Sequence, residues 1–201
     1  MDERTIVQQA AQGDEAAFEQ LILQYQKPVY NIAYRMCGNA EDAYDLAQEA
    51  FLNAWRGLPN FQFDAAFSTW LYRLTSNACI SYLRARKRRT AVSAVFLDEE
   101  GETQELPLPD PAPLPEERVI RREEHEQIEA ALNELEVEYR EALCLCVYGG
   151  QSYQQIAETL GVKEGTVKSR IFRAREKLRK KLLQSGNKTA SISSSKKKGG
   201  D

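Results

Sequence analysis

Cationic, hydroxyl and aromatic side chains near the carboxyl end have the composition of a surface that binds DNA. At 100° per residue they fall on one face of a helix. That face consists of Lys168, Ser169, Phe172 and Arg173, with Arg170 at its edge. Arginine and lysine donate to guanine edges, serine can donate or accept, and phenylalanine contacts the thymine methyl group. Residues 149–184 carry nine basic and three acidic groups, which favours a polyanionic partner over a merely solvated helix face.

A second candidate surface combines aromatic rings with a basic cluster. Helical spacing predicts a helix from about Phe67 to Arg88, with Trp70, Tyr72 and Asn77 along it and a basic run that starts at Arg84. Rings stack on unpaired bases and cations follow phosphates, so the combination is typical of single-stranded nucleic acid binding. The alternative is that Phe67 and Trp70 belong to a core stripe, while Tyr72 and Ser76 lie on the opposite, exposed side.

An exposed helix face earlier in the chain predicts a docking surface for another protein. The buried stripe of this helix centres on four alanines, Ala43, Ala47, Ala50 and Ala54. Asp45, Gln48, Glu49 and Leu52 then point to solvent, and a leucine ringed by polar groups suits a protein contact. Two alternatives stay open: a solvated acidic face with one stray leucine, and a hydrolytic metal site on Asp45 and Glu49. The metal site lacks further ligands, because the only histidine, His125, lies among acids elsewhere.

The elements that must position these residues are all helices. In the front part, apolar residues recur at helical period in three segments that begin at Phe18, Val29 and Ala43, and the helix from Phe67 is the fourth. In the back part, Ser152 caps a short helix that runs to Leu160, and Gly161-Val162 forms a tight turn. A longer helix from about Glu164 to Leu183 completes a helix-turn-helix.

A linker divides the chain into two helical domains. Five prolines lie in nine positions at Pro107–Pro115, which excludes a helix and favours extended geometry. The predicted fold is therefore all-α, with two small helical domains joined by an extended, acidic, proline-rich linker. The predicted boundaries are 1–90 for the front domain, 91–117 for the linker, 118–184 for the back domain and 185–201 for a disordered basic tail.

Composition excludes several classes of protein. With 201 residues, of which 42% are hydrophobic, the chain can form one or two small cores but not a large enzyme domain. The longest apolar stretch, Ala142–Gly149, is far short of a membrane span, and no secretory signal is recognisable at the start, so a cytoplasmic protein without membrane insertion is expected. Cys144 and Cys146 form a lone Cys-x-Cys pair, and neither a zinc site nor another cofactor is predicted.

Five motifs in order resemble one family, the bacterial RNA polymerase sigma factors of the extracytoplasmic-function group within the sigma-70 family. Three lie in the front part: Gly13–Phe18 (GDEAAF), Asp45–Phe51 (DLAQEAF) and Phe67–Arg73 (FSTWLYR). Two lie in the back part: Ser152–Ala157 (SYQQIA) and Gly165–Arg170 (GTVKSR). The resemblance covers residues 5 to 183 and implies that the front domain is region 2 and the back domain is region 4.

The resemblance also implies roles for individual residues. Asp45, Gln48 and Glu49 align with the contact to core polymerase. Phe61, Tyr72 and Asn77 align with the pocket for a base flipped from the minus-ten element. Trp70 aligns with the aromatic group that supports melting. The loop from Gln62 to Ala66 differs from the usual family sequence. Lys168, Ser169, Phe172 and Arg173 align with residues that face the minus-thirty-five element.

The expected function is that of a non-catalytic initiation subunit. Such a protein binds core RNA polymerase, holds duplex promoter DNA upstream and captures melted single strand downstream, and a separate anti-sigma factor is an expected partner. The alternative is a helix-turn-helix regulator with an interaction module in front, which binds duplex DNA without polymerase. The front domain discriminates between the two. A metal-dependent nuclease is a third class, which would show cleavage dependent on added divalent metal.

Overall fold

The structure, a computed structural model, describes residues 2–93 and 127–196. This part of the chain contains eight α-helices and one short 3-10 helix. The first four are α1 (Glu3–Ala11), α2 (Glu15–Cys37), α3 (Ala40–Gly57) and α4 (Phe67–Ser93), with a short 3-10 helix at Leu58–Asn60 before α4. The last four are α5 (described over 127–133), α6 (Val137–Val147), α7 (Tyr153–Leu160) and α8 (Glu164–Lys196). No strand occurs within these ranges, and the predicted all-α class is confirmed. None of these helices is long and apolar enough to cross a membrane.

The amino-terminal bundle, α1 to α4, differs in two respects from its prediction. Helix α1 was not predicted. The segments expected to form two helices on either side of Pro28 are one continuous helix, α2. A proline inside a helix removes one backbone hydrogen bond and usually kinks or breaks the helix. Here the buried stripe continues through Tyr25 and Val29 on both sides of the proline, so packing keeps the helix intact.

Side-chain caps mark where three of the helices begin. Asp14 accepts a hydrogen bond from the backbone of Ala17 (3.1 Å) at the start of α2, and Asn39 accepts one from Asp42 (3.0 Å) at the start of α3. At the start of α7, Ser152 caps the helix as the sequence predicts, and with Gln155 it forms a reciprocal capping box. Gly161 follows α7 with φ +64°, a conformation that favours glycine, and its turn leads directly into α8. The predicted helix-turn-helix is confirmed.

Helix α8 extends beyond the predicted end at Leu183. It continues to Lys196, so the described part of the expected disordered tail is helical instead. The segment contains no proline, and adding a turn to an existing helix is easier than starting one, which accounts for the difference. The expected linker at 91–117 and the start of the back domain at 118 lie mostly outside the described residues.

The two bundles share one hydrophobic core in this structure. Helices α2 and α4 contact α6 and α7 of the carboxyl-terminal bundle, α5 to α8, and buried apolar residues from both bundles form a continuous cluster. Arg35 of α2 forms an ion pair with Glu129, and its guanidinium lies 5.3 Å from the Tyr148 ring. The sequence predicts the two bundles but gives no sign that they pack together.

Arg140 of α6 is the most extensively bonded charged residue at this boundary. Its guanidinium donates to the backbone oxygen of Met36 at the end of α2 (2.8 Å). It also donates to the side chain of Asn133 (3.2 Å) and to the backbone oxygens of Asn133 (2.6 Å) and Leu135 (3.2 Å). Only 6% of the residue is exposed. Arg140 thus satisfies a carbonyl at the negative end of the α2 dipole and orders the turn between α5 and α6.

Candidate functional site

The face of α3 predicted to dock on a protein is exposed as expected. Asp45, Gln48 and Glu49 are exposed, and Leu52 is 53% exposed. Tyr44, which is not among the predicted residues, is 60% exposed on the same helix. It lies four residues before Gln48 and eight before Leu52, so helical spacing was the signal that could have found it. The result is a surface, the α3 patch, with two large apolar side chains among polar ones.

A shallow acidic groove separates the α3 patch from α4. Its volume is about 400 Å³, and its lining includes Asp42, Asp45 and Glu49 from α3 and Tyr82 from α4. The Tyr82 hydroxyl donates to the Asp42 carboxylate (2.5 Å), and burial together with that carboxylate raises the pKa of Tyr82. Across the described ranges, no group of three or more histidine, cysteine or acidic side chains is arranged to hold a metal ion.

A cavity of about 260 Å³ lies between the loop at 61–66 and α4. It is lined by Asn60, Phe61, Gln62, Asp64, Ala65, Thr69, Trp70 and Arg73. The ring centroids of Phe61 and Trp70 are 4.9 Å apart. Thr69 is buried, and its hydroxyl finds no hydrogen-bond partner among the described residues. The two rings can stack on the face of a planar ligand, and the neighbouring polar groups can form hydrogen bonds with its edge. A nucleobase is bound by this combination of contacts.

Tyr72 and Asn77 do not line this cavity, although Phe61 and Trp70 do. The expectation that Tyr72 and Ser76 face solvent is wrong: both are buried, Tyr72 to 3% exposure. The carboxyl-terminal bundle covers Tyr72, since a Cβ placed on Gly149 would lie 3.2 Å from its ring. Burial raises the pKa of Tyr72 to about 12, and the Glu3 carboxylate adds to the shift. Asn77 and Arg84 are exposed on α4, outside the cavity.

Arg73 connects the cavity to the helix-turn-helix. It lines the cavity, and its guanidinium donates to the backbone oxygens of Glu158 and, at 3.1 Å, Thr159, at the end of α7. A cation at a helix carboxyl terminus is favourable, because the last carbonyls there lack partners within the helix. The predicted single-strand surface therefore contacts the carboxyl-terminal bundle directly.

A buried carboxyl group lies at the same boundary. Glu141 of α6 is buried, and burial raises its pKa. The charged or polar groups that face it are Ser76 and Arg84 of α4, Arg170 of α8 and Glu138 of its own helix. Three cysteines near the boundary, Cys37, Cys79 and Cys144, are buried free thiols. Burial raises the pKa of Cys144 to about 12.

The predicted duplex-reading face of α8 points to solvent. Lys168, Ser169 and Arg173 are exposed and Phe172 is 66% exposed, whereas Arg170 is half-buried. The opposite side of α8 is buried at Val167, Ile171 and Ala174. Lys168 pairs with Glu164 (2.7 Å), which raises the pKa of Lys168, and Arg173 donates to the Tyr139 hydroxyl (3.2 Å). These exposed contacts are weak and can be exchanged for DNA phosphates or bases.

Comparison with known proteins identifies the family. The sigma-70 region 2 family matches residues 21–89, and the sigma-70 region 4 family matches residues 125–178. RNA polymerase sigma-H factor of Pseudomonas aeruginosa is 38% identical over 187 residues, which span 90% of this chain and 93% of that protein. The chain belongs to the extracytoplasmic-function group of the sigma-70 family. This sigma factor is also 36% identical to the sigma factor SigW of Bacillus subtilis over 88% of its own length and 94% of the relative.

Solved structures resemble this sigma factor over most of its length. CnrH, in complex with the cytosolic domain of CnrY, matches with a TM-score of 0.67 at 26% identity, over 91% of this chain and 97% of CnrH. The sigma factor RpoE of Bartonella quintana, in complex with the anti-sigma factor NepR, matches with a TM-score of 0.66 at 26% identity. That match covers 83% of this chain and 96% of RpoE.

Proposed function

We propose that this sigma factor binds core RNA polymerase through the α3 patch, directs it to promoters and promotes DNA melting, while itself catalysing no reaction. The observation that carries the proposal is the exposure of Tyr44 and Leu52 beside Gln48 and Glu49. Apolar side chains with a polar rim form the centre of many protein interfaces.

The carboxyl-terminal bundle binds the upstream promoter duplex. The exposed half of α8 carries Lys168, Ser169, Phe172 and Arg173 immediately after the turn at Gly161, the position from which a recognition helix enters the major groove. Arg170 is half-buried and is assigned to the edge of this surface. Contacts to base edges select the sequence, and cations farther along α8 hold the phosphates.

The amino-terminal bundle captures unpaired bases of the minus-ten element. Phe61 and Trp70 stack on a flipped base, and Asn77 and Arg84 contact the strand outside the cavity. Because only the melted strand offers its bases, this binding shifts the melting equilibrium towards open DNA. Tyr72 joins the surface only when the carboxyl-terminal bundle moves away from α4.

Three further assignments follow from the family and its relatives. The chain acts in the cytoplasm, where bacterial RNA polymerase transcribes, and it needs no cofactor. An anti-sigma factor is a proposed partner, because RpoE, which resembles this chain, was solved in complex with such a protein.

The test of the proposal uses two double variants of the full chain. Gln48→Ala with Glu49→Ala alters the α3 patch, and Glu19→Ala with Gln20→Ala removes the same two residue types from an exposed part of α2. We expect the first variant to bind core polymerase at least tenfold more weakly, with unchanged helicity by circular dichroism. The control should bind within twofold of wild type.

Two results contradict the proposal. In the first, the α3 variant binds core polymerase with an affinity within twofold of wild type. In the second, core polymerase mixed with the wild-type chain does not start transcription at any specific site in genomic DNA from the source bacterium. Tight, specific binding to duplex DNA without core polymerase, combined with either result, supports the regulator instead.

A further inference from the structure

A strained residue stands beside the cavity. Phe63 has φ +60°, and it is the only non-glycine residue with positive φ in the described part of the chain. L-amino acid residues other than glycine rarely adopt this backbone conformation, and it persists only where neighbouring groups hold it. The loop at 61–66 therefore has a shape that the surrounding structure imposes.

The groups that hold Phe63 form a row leading from α1 to the cavity. The Arg4 guanidinium lies 5.3 Å from the centre of the Phe63 ring, a cation–π contact. The Phe63 and Phe61 ring centroids are 4.8 Å apart, and Phe61 in turn contacts Trp70. Phe61 and Trp70 line the cavity, whereas Arg4 and Phe63 support it from outside.

Arg4 is anchored by the rest of α1. Ile6 and Val7 are buried in the core, so α1 packs firmly on the amino-terminal bundle. The neighbouring Glu3 accepts hydrogen bonds from the Tyr25 hydroxyl (2.6 Å) and from the Gln24 side chain (3.0 Å). Arg4 thus supports the loop from a fixed element rather than from another loop.

We propose that Arg4 is a positioning residue for promoter recognition, which holds Phe63 and thereby fixes the orientation in which Phe61 stacks on a captured base. This inference rests on the proposed function, since it requires the cavity to take an unpaired nucleobase. Stacking strength and the alignment of a base edge with Asn60, Gln62, Asp64 and Thr69 both depend on the tilt of the stacking ring. Loss of the cation frees Phe63, and Phe61 then no longer presents one fixed face.

The experiment measures base preference with the complete holoenzyme. Core polymerase is mixed with wild-type chain or a variant and with a pool of single-stranded oligonucleotides of random sequence, and the bound fraction is sequenced. Arg4→Gln removes the cation. Arg4→Lys keeps a cation for the Phe63 ring, and Lys27→Gln removes an equal charge from an exposed position on α2.

We expect Arg4→Gln to lower the preference at one base position at least fivefold, with core affinity and melting temperature unchanged. Arg4→Lys and Lys27→Gln should stay within twofold of wild type. A positioning role predicts this split, since a merely structural role would lower the melting temperature, core affinity and DNA binding together.

Three outcomes overturn the inference. In the first, wild type enriches a sequence and Arg4→Gln enriches it equally. In the second, Arg4→Gln loses preference only together with core affinity and melting temperature, which indicates a structural role. In the third, wild-type holoenzyme enriches no sequence, and the proposed capture of bases fails as well.

Discussion

Replacing Arg140 by methionine should loosen the contact between the two bundles. Methionine keeps most of the apolar stem but removes the guanidinium, which leaves the Met36 carbonyl without its donor. A hydrogen bond to a charged group contributes about 1.5–3 kcal/mol when both partners are buried. Since every 1.4 kcal/mol is a factor of ten, the separated state should gain roughly 10- to 150-fold in population.

Thiol labelling measures this opening. Cys79 of α4 and Cys144 of α6 have no exposed surface, and burial raises the pKa of both thiols. In the closed arrangement they are therefore protonated and shielded, so a disulfide reagent reaches them only through opening. Cys146 is partly exposed and provides a rapid baseline reaction in every variant. We expect the slow labelling rate of Arg140→Met to rise by the same 10- to 150-fold.

Two further variants separate boundary effects from local damage to α6. Lys177→Met removes a cation that pairs with Glu136 on the surface of the carboxyl-terminal bundle, and it should not change the labelling rate. Arg73→Met removes hydrogen bonds to Glu158 and Thr159 without touching the turn between α5 and α6, and it should also accelerate labelling. If Arg140→Met and Arg73→Met both react at the rate of Lys177→Met, arginine contacts do not hold the bundles together.

Four other predictions concern DNA, pH and local stability. Asn77→Ala should lower open-complex formation, measured by permanganate reactivity of promoter thymines, and a template already mismatched in the minus-ten region should relieve the defect. Arg173→Ala should cost about 1–3 kcal/mol and relax base preference in the upstream element, whereas Arg179→Ala should weaken binding to all sequences alike, both measured by quantitative footprinting. Because burial raises the pKa of Glu141, the folded chain binds the carboxyl proton of this residue more tightly than the unfolded chain does. Stability should therefore fall as the pH rises above the ordinary pKa of glutamate. Glu141→Gln should therefore raise the melting temperature at pH 7.5, with a gain that shrinks towards pH 4.5. Ser152→Ala should destabilise the chain by about 1 kcal/mol in denaturant unfolding, because α7 loses its capping box.

Three of these predictions have a specific contradicting result. Equal permanganate reactivity on fully paired DNA would remove Asn77 from melting, and unchanged base preference would remove Arg173 from readout. A gain from Glu141→Gln that is the same at every pH would show that the carboxyl proton is not the cause.

Local features of the site could be predicted from sequence. Ser152, Gln155 and Gly161 define the helix-turn-helix through caps and a turn that depend on neighbouring residues alone. Helical angle alone also places Leu52 on the exposed side of α3. The same angle failed at Tyr72 and Ser76, because it gives the direction of a side chain on its helix but not which other element covers that direction. Arg140 likewise donates to an acceptor, the Met36 carbonyl, that lies 104 residues away in the sequence.

Helix α1 could not be recognised for a related reason. Its nine residues include two glutamines and only one turn's worth of strongly apolar side chains. A helix this short is marginal in isolation, and its stability comes from packing on α2 and the 3-10 helix. The strained conformation of Phe63 has no sequence signal, since phenylalanine is not a residue that favours positive φ.

The amino-terminal bundle is synthesised before the helices that cover it, so the contact between the bundles forms only after a delay. Helices α1 to α4 are complete about 70 residues before α7 ends at Leu160. Domains generally fold as they emerge, at about 5–20 residues per second. For roughly 3–13 s the nascent chain therefore presents Tyr72 and the adjoining face of α4 without their cover. Every newly made copy passes through an uncovered stage before α6 and α7 can reach α4. A partner that recognises the uncovered face has its first opportunity on the ribosome, before the finished protein closes.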